Sequence, residues 1–323
     1  MVLPVFKKHS PPVVLAPMAG VSDSVFRRIC VEHGCDFTYT EMVSAKGLFY
    51  GGHKTKDLLR VSPAERPCAV QLFGSEPAIV ADMIKRIADE TQGDVAMIDI
   101  NMGCPMPKIT GNGEGSALMK DIPKAAAVME AAAKASPLPV SCKFRKGWDD
   151  EHVNAVEFAR AMEESGAAML TVHGRTREQL YHGRADIDII ARVVEAVDIP
   201  VLGNGDIFSG EDAKRMLDVT RCAGIMVARV AEGDPFIFDE IRAALVGTPY
   251  TPPTDYEHMG EAIRHAEGFL EEKDPRLFPE LRKHMSWYSK GMRGALELRR
   301  AVNIARTPEA LLELLYAFRD SLA

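Results

Sequence analysis

Eight short apolar, β-branched segments punctuate the first three quarters of the chain: 13–17, 37–41, 69–73, 97–101, 139–144, 169–173, 200–204 and 224–228. Their starts lie between 24 and 42 residues apart. The intervals carry helical periodicity. In 153–165, Val153, Val156, Phe158 and Met162 make an apolar face, with Glu157, Arg160 and Glu164 opposite. A strand every thirty residues or so, with a helix between, is the rhythm of βαβ units and a parallel sheet. Eight such units predict a closed (β/α)₈ TIM barrel, with an open doubly wound sheet as the alternative. The 42-residue step is too long by about a dozen residues, and its excess is PMPKITGNGEGS, 105–116.

The pattern changes after residue 247. TPYTPPT, 248–254, reads as a proline-rich linker. Beyond it come helical patterns near 256–272, 278–292, 294–305 and 308–322, with no strand signal. The expected organisation is a barrel over 1–247 and a small all-α helical domain over 255–323.

Composition narrows the class. The 323 residues are 46% hydrophobic and 26% charged, which suits a folded globular chain. No apolar run reaches the roughly 18 residues of a membrane span, and the start lacks a signal-peptide pattern. The six cysteines show neither zinc-site nor disulfide spacing, so a cytoplasmic, metal-free protein is expected. The net charge of −7 excludes nucleic-acid binding by the whole surface. Segment 276–306, however, holds eight basic residues against two acidic ones. On the expected 278–292 helix, Arg282, Lys283 and Lys290 fall on a face away from Leu281, Met285, Tyr288 and Met292, an arrangement suited to tracking phosphates.

Barrel chemistry sits at the carboxyl ends of the strands. There the chain places Met18, Gln71, Asn101, Lys143, His173, Asn204, Asp206 and Arg229. One such polar residue means little, since strand ends are wetter than strand middles. Lys143 within a strand pattern needs an anion to receive it. GNGDIFSG, 203–210, and Ala228–Arg229 fall where barrels bind phosphate. No G-x-G-x-x-G is present, which argues against a Rossmann dinucleotide site. Cys104, in Gly-Cys-Pro at the start of the long loop, is expected to present an accessible thiol.

DINMGCPMPKITGNGEGSALM, 99–119, resembles the signature of the tRNA-dihydrouridine synthases. APMAGVSDSVFRR (16–28), TEM (40–42), HGRTR (173–177) and NGDI (204–207) match the same family in order. RKHMSWY, 282–288, is most similar to the bacterial B-type members. The resemblance implies an FMN-bound barrel, electrons from NADPH, a helical tRNA-recognition domain and reduction of a uracil C5–C6 bond. It implies that Pro17, Met18, Ala19 and Gln71 lie along the flavin, with Lys143 near its N1/O2 edge. His173, Asn204, Gly205, Asp206, Ala228 and Arg229 would form the ribityl and phosphate site. Cys104 would be the proton donor, on a loop free to swing over the base. Asn101 would lie beside the uracil, and Arg175 would face the tRNA. Ala228 departs from the family's usual Gly; its methyl is tolerable if φ is negative. A monomer is expected. Two other readings are an FMN barrel oxidoreductase acting on a small molecule, as in dihydroorotate-type enzymes, and a non-catalytic RNA-binding regulator.

Overall fold

The computed structural model describes residues 3–9, 11–52, 57–91 and 93–323. Among the described residues, nine strands form one parallel sheet: β1 Val13–Leu15, β2 Thr38–Tyr39, β3 Val43–Ser44, β4 Cys68–Phe73, β5 Met97–Met102, β6 Val140–Gly147, β7 Met169–Thr176, β8 Val201–Asn204 and β9 Gly224–Val227. β2 and β3 both pair with β4 and share one place in the ring. β1 pairs with β9, and a parallel bridge from Val14 to Phe37 joins the ends. There Leu15 N–H donates to Phe37 O at 3.1 Å and Asp36 N–H to Val13 O at 2.9 Å. That closure makes a (β/α)₈ barrel and removes the edges an open sheet would leave.

The period-2 alternation of a strand builds the barrel interior in layers. The floor is apolar, with Val14, Ala69, Met97, Met169, Leu202 and Met226 packed together. Two residues further along come Gln71, Asp99, Ser141 and Thr171, all fully buried. Two further still stand Asn101, Lys143 and His173, while Asn204 follows the floor residue Leu202 by two; the registers pair Asn101 with Lys143, Arg145 with His173, and His173 with Asn204. The opposite faces of the strands, including Ile98, Ile100, Cys142 and Val172, pack into the larger core beneath the outer helices.

The long loop after β5 is structured. It contains a short helix, Pro107–Thr110, and a 3₁₀ segment, Gly115–Lys120. No helix among the described residues is long and apolar enough to cross a membrane.

After the helix Ile237–Val246, residues 248–254 form neither helix nor strand. Thr254 and Glu257 then make a capping box for the helix Asp255–Glu272. That helix lies against the barrel helix Ser24–Glu32 so closely that a Cβ on Gly268 would stand 2.8 Å from Val25 Cγ1. Beyond it lie Leu281–Tyr288, Ala295–Ile304 and Pro308–Asp320. The helix expected over 278–292 is shorter than its pattern. It begins as a 3₁₀ turn through Pro275–Glu280 and ends at Tyr288. Gly291 and Gly294 follow with φ of +87° and +82°, conformations a right-handed helix cannot continue. Lys290 and Met292 therefore leave the helix, and the single basic face read from the sequence does not exist as drawn.

A buried polar contact joins tail to barrel. Asp23 caps the helix Ser24–Glu32 by accepting from Phe26 N–H at 3.0 Å, and its other oxygen meets His265 Nε2 at 3.0 Å. Burial alone would raise the Asp23 carboxyl, but the His265 charge and hydrogen bond hold it well below the usual carboxylate range. Asp23→Ala should cost about 3–5 kcal/mol, because His265 would be left buried without its partner. Urea unfolding reads this; a loss below about 1 kcal/mol would mean the contact is incidental.

Candidate active site at the barrel mouth

The carboxyl ends of the strands surround a cleft of about 430 Å³. Pro17, Met18 and Ala19, on the loop after β1, form one wall. Met18 N–H bonds to Ser22 Oγ at 2.9 Å and tightens that loop. Asn101, Cys104, Lys143, His173, Asn204, Gly205, Asp206, Ala228 and Arg229 also line the cleft. Gln71 does not. It has no exposed surface and lies beneath Asn101, whose Nδ2 donates to Gln71 Oε1 at 2.9 Å. The end of β4 suggests a place for Gln71 at the cleft wall, but the alternation sinks it one layer down.

The cationic side of the cleft carries the strongest electrostatics. Burial, aided by Arg145, pulls the Lys143 ammonium down to about 8. Burial also lowers the Arg145 guanidinium, to about 10. His173 is held well below its ordinary value, first by burial and then by Lys143, Arg145, Arg175 and Arg229. Each shift has one physical origin: several positive groups share a low-dielectric space. Asp206 is the nearby counter-charge, accepting from Arg175 Nη2 at 2.7 Å and lying 3.4 Å from Arg229.

Arg175 does not face outward as expected. It is 2% exposed, and it donates to His182 O at 3.0 Å and Gly183 O at 2.6 Å. Its Nη1 is buried without a partner. It lines not this cleft but an adjoining cavity of about 480 Å³ that Arg184, Arg215 and Arg229 also border. The reason is again alternation: in HGRTR, His173 and Arg175 share the inward face of β7. Arg145, two residues after Lys143, was missed; the same period of two would have found it.

Backbone shape completes the anionic subsite. Gly205 turns with φ +123°, and a Cβ there would stand 2.7 Å from Ala185 Cβ and 3.0 Å from His173 Cδ2. Ala228 has φ −129°, so the left-handed backbone that would call for glycine is not used there. The unpartnered Arg175 nitrogen, the lowered Lys143 and the open turn at Gly205 all fit a phosphate-bearing ligand.

Cys104, on the turn that follows β5, is 9% exposed and packed with Phe73, Ile109 and Met42. The thiol is more buried than its Gly-Cys-Pro setting suggests. Burial pushes it above its usual value, so at neutral pH it is a protonated thiol, a donor and not a thiolate. The turn around it is held at both ends. Cys104 N–H donates to Asn101 Oδ1 at 2.8 Å, and Cys104 O accepts from Ser116 N–H at 3.0 Å and Ser116 Oγ at 2.9 Å. Arg145 Nε donates to Gly103 O at 2.8 Å. At Gly115, with φ +59°, a Cβ would stand 2.8 Å from that same Cys104 carbonyl. A freely swinging loop is therefore not what the chain builds.

The tail reaches the rim. Lys283 Nζ lies 2.6 Å from where a Cβ on Gly20 would be, beside the Pro17–Val21 loop. Glu232, a cleft residue raised by burial, feels the charges of Arg229 and Lys290. Lys283 and Lys290 are exposed. Arg282 is instead committed to its own domain, donating to Ala305 O at 2.7 Å and lying over the Phe278 ring.

A closed parallel barrel whose mouth gathers a neutral thiol and a buried cationic subsite is the build of a barrel enzyme. The sequence comparisons give the family: the dihydrouridine synthase (Dus) family matches residues 14–322, and the chain belongs to it. A probable tRNA-dihydrouridine synthase of Treponema pallidum is 41% identical over 292 residues, covering 87% of this chain and 85% of that protein. One of Rickettsia conorii is 40% identical over 313 residues, covering 96% and 93%. The tRNA-dihydrouridine synthase B of Xanthomonas campestris is 36% identical over 318 residues, covering 97% and 94%.

Because burial and four cations disfavour its charged form, His173 should titrate well below the ordinary histidine range. NMR titration of the ring protons, assigned with a His173→Gln variant, checks this; a midpoint near 6.5 would contradict the cationic subsite.

Proposed function

We propose that the enzyme reduces the C5–C6 double bond of uridines in tRNA, with FMN resident in the cleft and NADPH as the electron source. The observation that carries the reading is one cleft lined by both a protonated thiol and a cationic subsite. The names of the relatives support the substrate. In this reading Pro17, Met18 and Ala19 flank the flavin ring and Lys143 faces its electron-rich edge. His173, Asn204, Gly205, Asp206, Ala228 and Arg229 hold the phosphate end. Bound there, FMN supplies a hydride to uracil C6, and NADPH restores it.

The chain's own part is acid catalysis and positioning. As C6 gains a hydride, C5 becomes basic, and the Cys104 thiol gives it a proton. The thiolate left behind is stabilised by the charges of Arg145 and Lys143. General-acid catalysis of this kind contributes about 10²–10⁴-fold. The uridine must leave the RNA stack to enter the cleft. Lys283 and Lys290 are placed to receive RNA phosphates at the rim, whereas Arg282 supports the tail's fold.

The purified chain should carry about one FMN. Cys104→Ala should keep FMN and accept electrons from NADPH, while flavin reoxidation by unmodified tRNA slows about 10²–10⁴-fold. Stopped-flow absorbance separates these half-reactions; undiminished reoxidation by tRNA would remove the acid role.

Reversing Lys283 and Lys290 to Glu should weaken tRNA binding. Each lost phosphate contact should remove roughly 0.7–0.9 from the slope of log K against log salt. Filter binding across a salt series reads this, and an unchanged slope would put the RNA elsewhere.

A further inference from the structure

Beneath Cys104 runs a chain of side-chain amides whose direction is fixed from one end. The backbone N–H groups of Gly103 and Cys104 donate to Asn101 Oδ1 at 3.1 and 2.8 Å. Backbone N–H groups can only donate, so the carbonyl end of the Asn101 amide must face them. Its Nδ2 therefore points at Gln71 and donates to Oε1 at 2.9 Å. The Gln71 amide is thereby turned too, with Nε2 facing Asp99 and donating to Oδ2 at 2.7 Å. Asp99 Oδ1 takes the Ser141 hydroxyl at 2.6 Å. Gln71, Asp99 and Ser141 are fully buried, so water cannot replace a missing partner.

We propose that Asp99 and Gln71 are positioning residues: by presenting an obligate acceptor at the foot of an amide relay, they orient Asn101 and so hold the Cys104 turn at the cleft. The inference deepens the reading of Cys104 as the acid and rests on it for its consequence in catalysis. It gives Gln71, expected along the flavin, a part in the support of the thiol. An amide flip anywhere in the relay would set two N–H groups or two oxygens face to face, so the three residues keep or lose their direction together.

Tyr39 from β2, and Cys142 and Lys143 from β6, are the ionisable groups coupled to Asp99. Burial raises the Asp99 carboxyl to about 6, against the pull of Gln71, Ser141 and Lys143. The relay survives protonation there. A proton on Oδ1 can point to the Ser141 oxygen while Oδ2 still accepts from Gln71. What the relay needs at position 99 is an acceptor of this size, not a charge.

The test reads the thiol itself, so it stands whether or not tRNA is the substrate. The full-length chain, with flavin content recorded, is treated with iodoacetamide, and alkylation of Cys104 is followed by peptide mass spectrometry. Asp99→Leu keeps the bulk and removes the acceptor. It should speed Cys104 alkylation about five- to tenfold, the change that loss of one buried hydrogen bond permits. Asp99→Asn can turn its oxygen to Gln71 and its NH₂ to Ser141, and should stay within about twofold of the parent. Equal rates in Asp99→Leu and the parent would overturn the proposal. So would equal acceleration in Asp99→Asn and Asp99→Leu, since charge would then be what matters.

If Asp99→Leu does not fold, Gln71→Glu decides. While protonated, the introduced carboxyl mimics the glutamine, accepting from Asn101 and donating to Asp99. Once both carboxyls ionise they repel and the relay breaks. Corrected for thiol ionisation, Cys104 alkylation in Gln71→Glu should rise with pH where the parent stays flat. A flat profile in the variant would refute the relay. A loosened turn should also slow flavin reoxidation by tRNA; if alkylation responds and tRNA turnover does not, the relay stands and the acid role of Cys104 falls.

Discussion

The organising constraint of this protein is an excess of positive charge in a space with little water. Lys143, Arg145, Arg175 and Arg229 converge at the barrel mouth around His173, with Asp206 as the nearby counter-charge. Concentrating cations in this way costs folding free energy unless an anion completes the site. The surroundings make sense on those terms: a glycine turn that brings backbone close, a histidine held neutral, a lysine whose proton is loosened. The same field reaches the thiol. The charges of Lys143 and Arg145 that would meet a flavin also stabilise the thiolate left when Cys104 gives up its proton.

The barrel delivers these groups through repetition. Each strand adds an inward residue every second position, so the floor is apolar, the middle layer polar and the mouth charged. The middle layer connects the two sides. Asp99 lies between the relay that holds the Cys104 turn and the lysine of the cationic subsite. The helical tail works from outside. Asp23 and His265 fix it to the first barrel helix, and Lys283 then comes to rest beside the loop that carries Pro17–Ala19.

Strand positions, the closed barrel, the anomalous loop and the helical tail were all legible in the sequence, because β-branched runs, helical periodicity and proline punctuation are local signals. Depth inside the barrel was less so. Strand ends flagged Gln71 and the family resemblance flagged Arg175, but only the folded barrel shows that one lies beneath the cleft and the other in the wall of the adjoining cavity. Arg145 and Asp99 went unseen for the same reason: they sit next to noticed residues and one or two steps along the same face. The loop's glycines suggested freedom, whereas Gly115 is there for close approach to the Cys104 carbonyl. In the tail, the helical count ran through Gly291, where left-handed backbone ends the helix and takes Lys290 off the face shared by Arg282 and Lys283.

The proposed occupant of the mouth is a flavin bearing a phosphate. Isothermal titration of the flavin-free protein with FMN and with riboflavin tests it most directly, since the two ligands differ only in that group. The account predicts that FMN binds at least about a hundredfold more tightly, the equivalent of about two charge-assisted hydrogen bonds. Equal affinity for the two, or binding of neither, would contradict it.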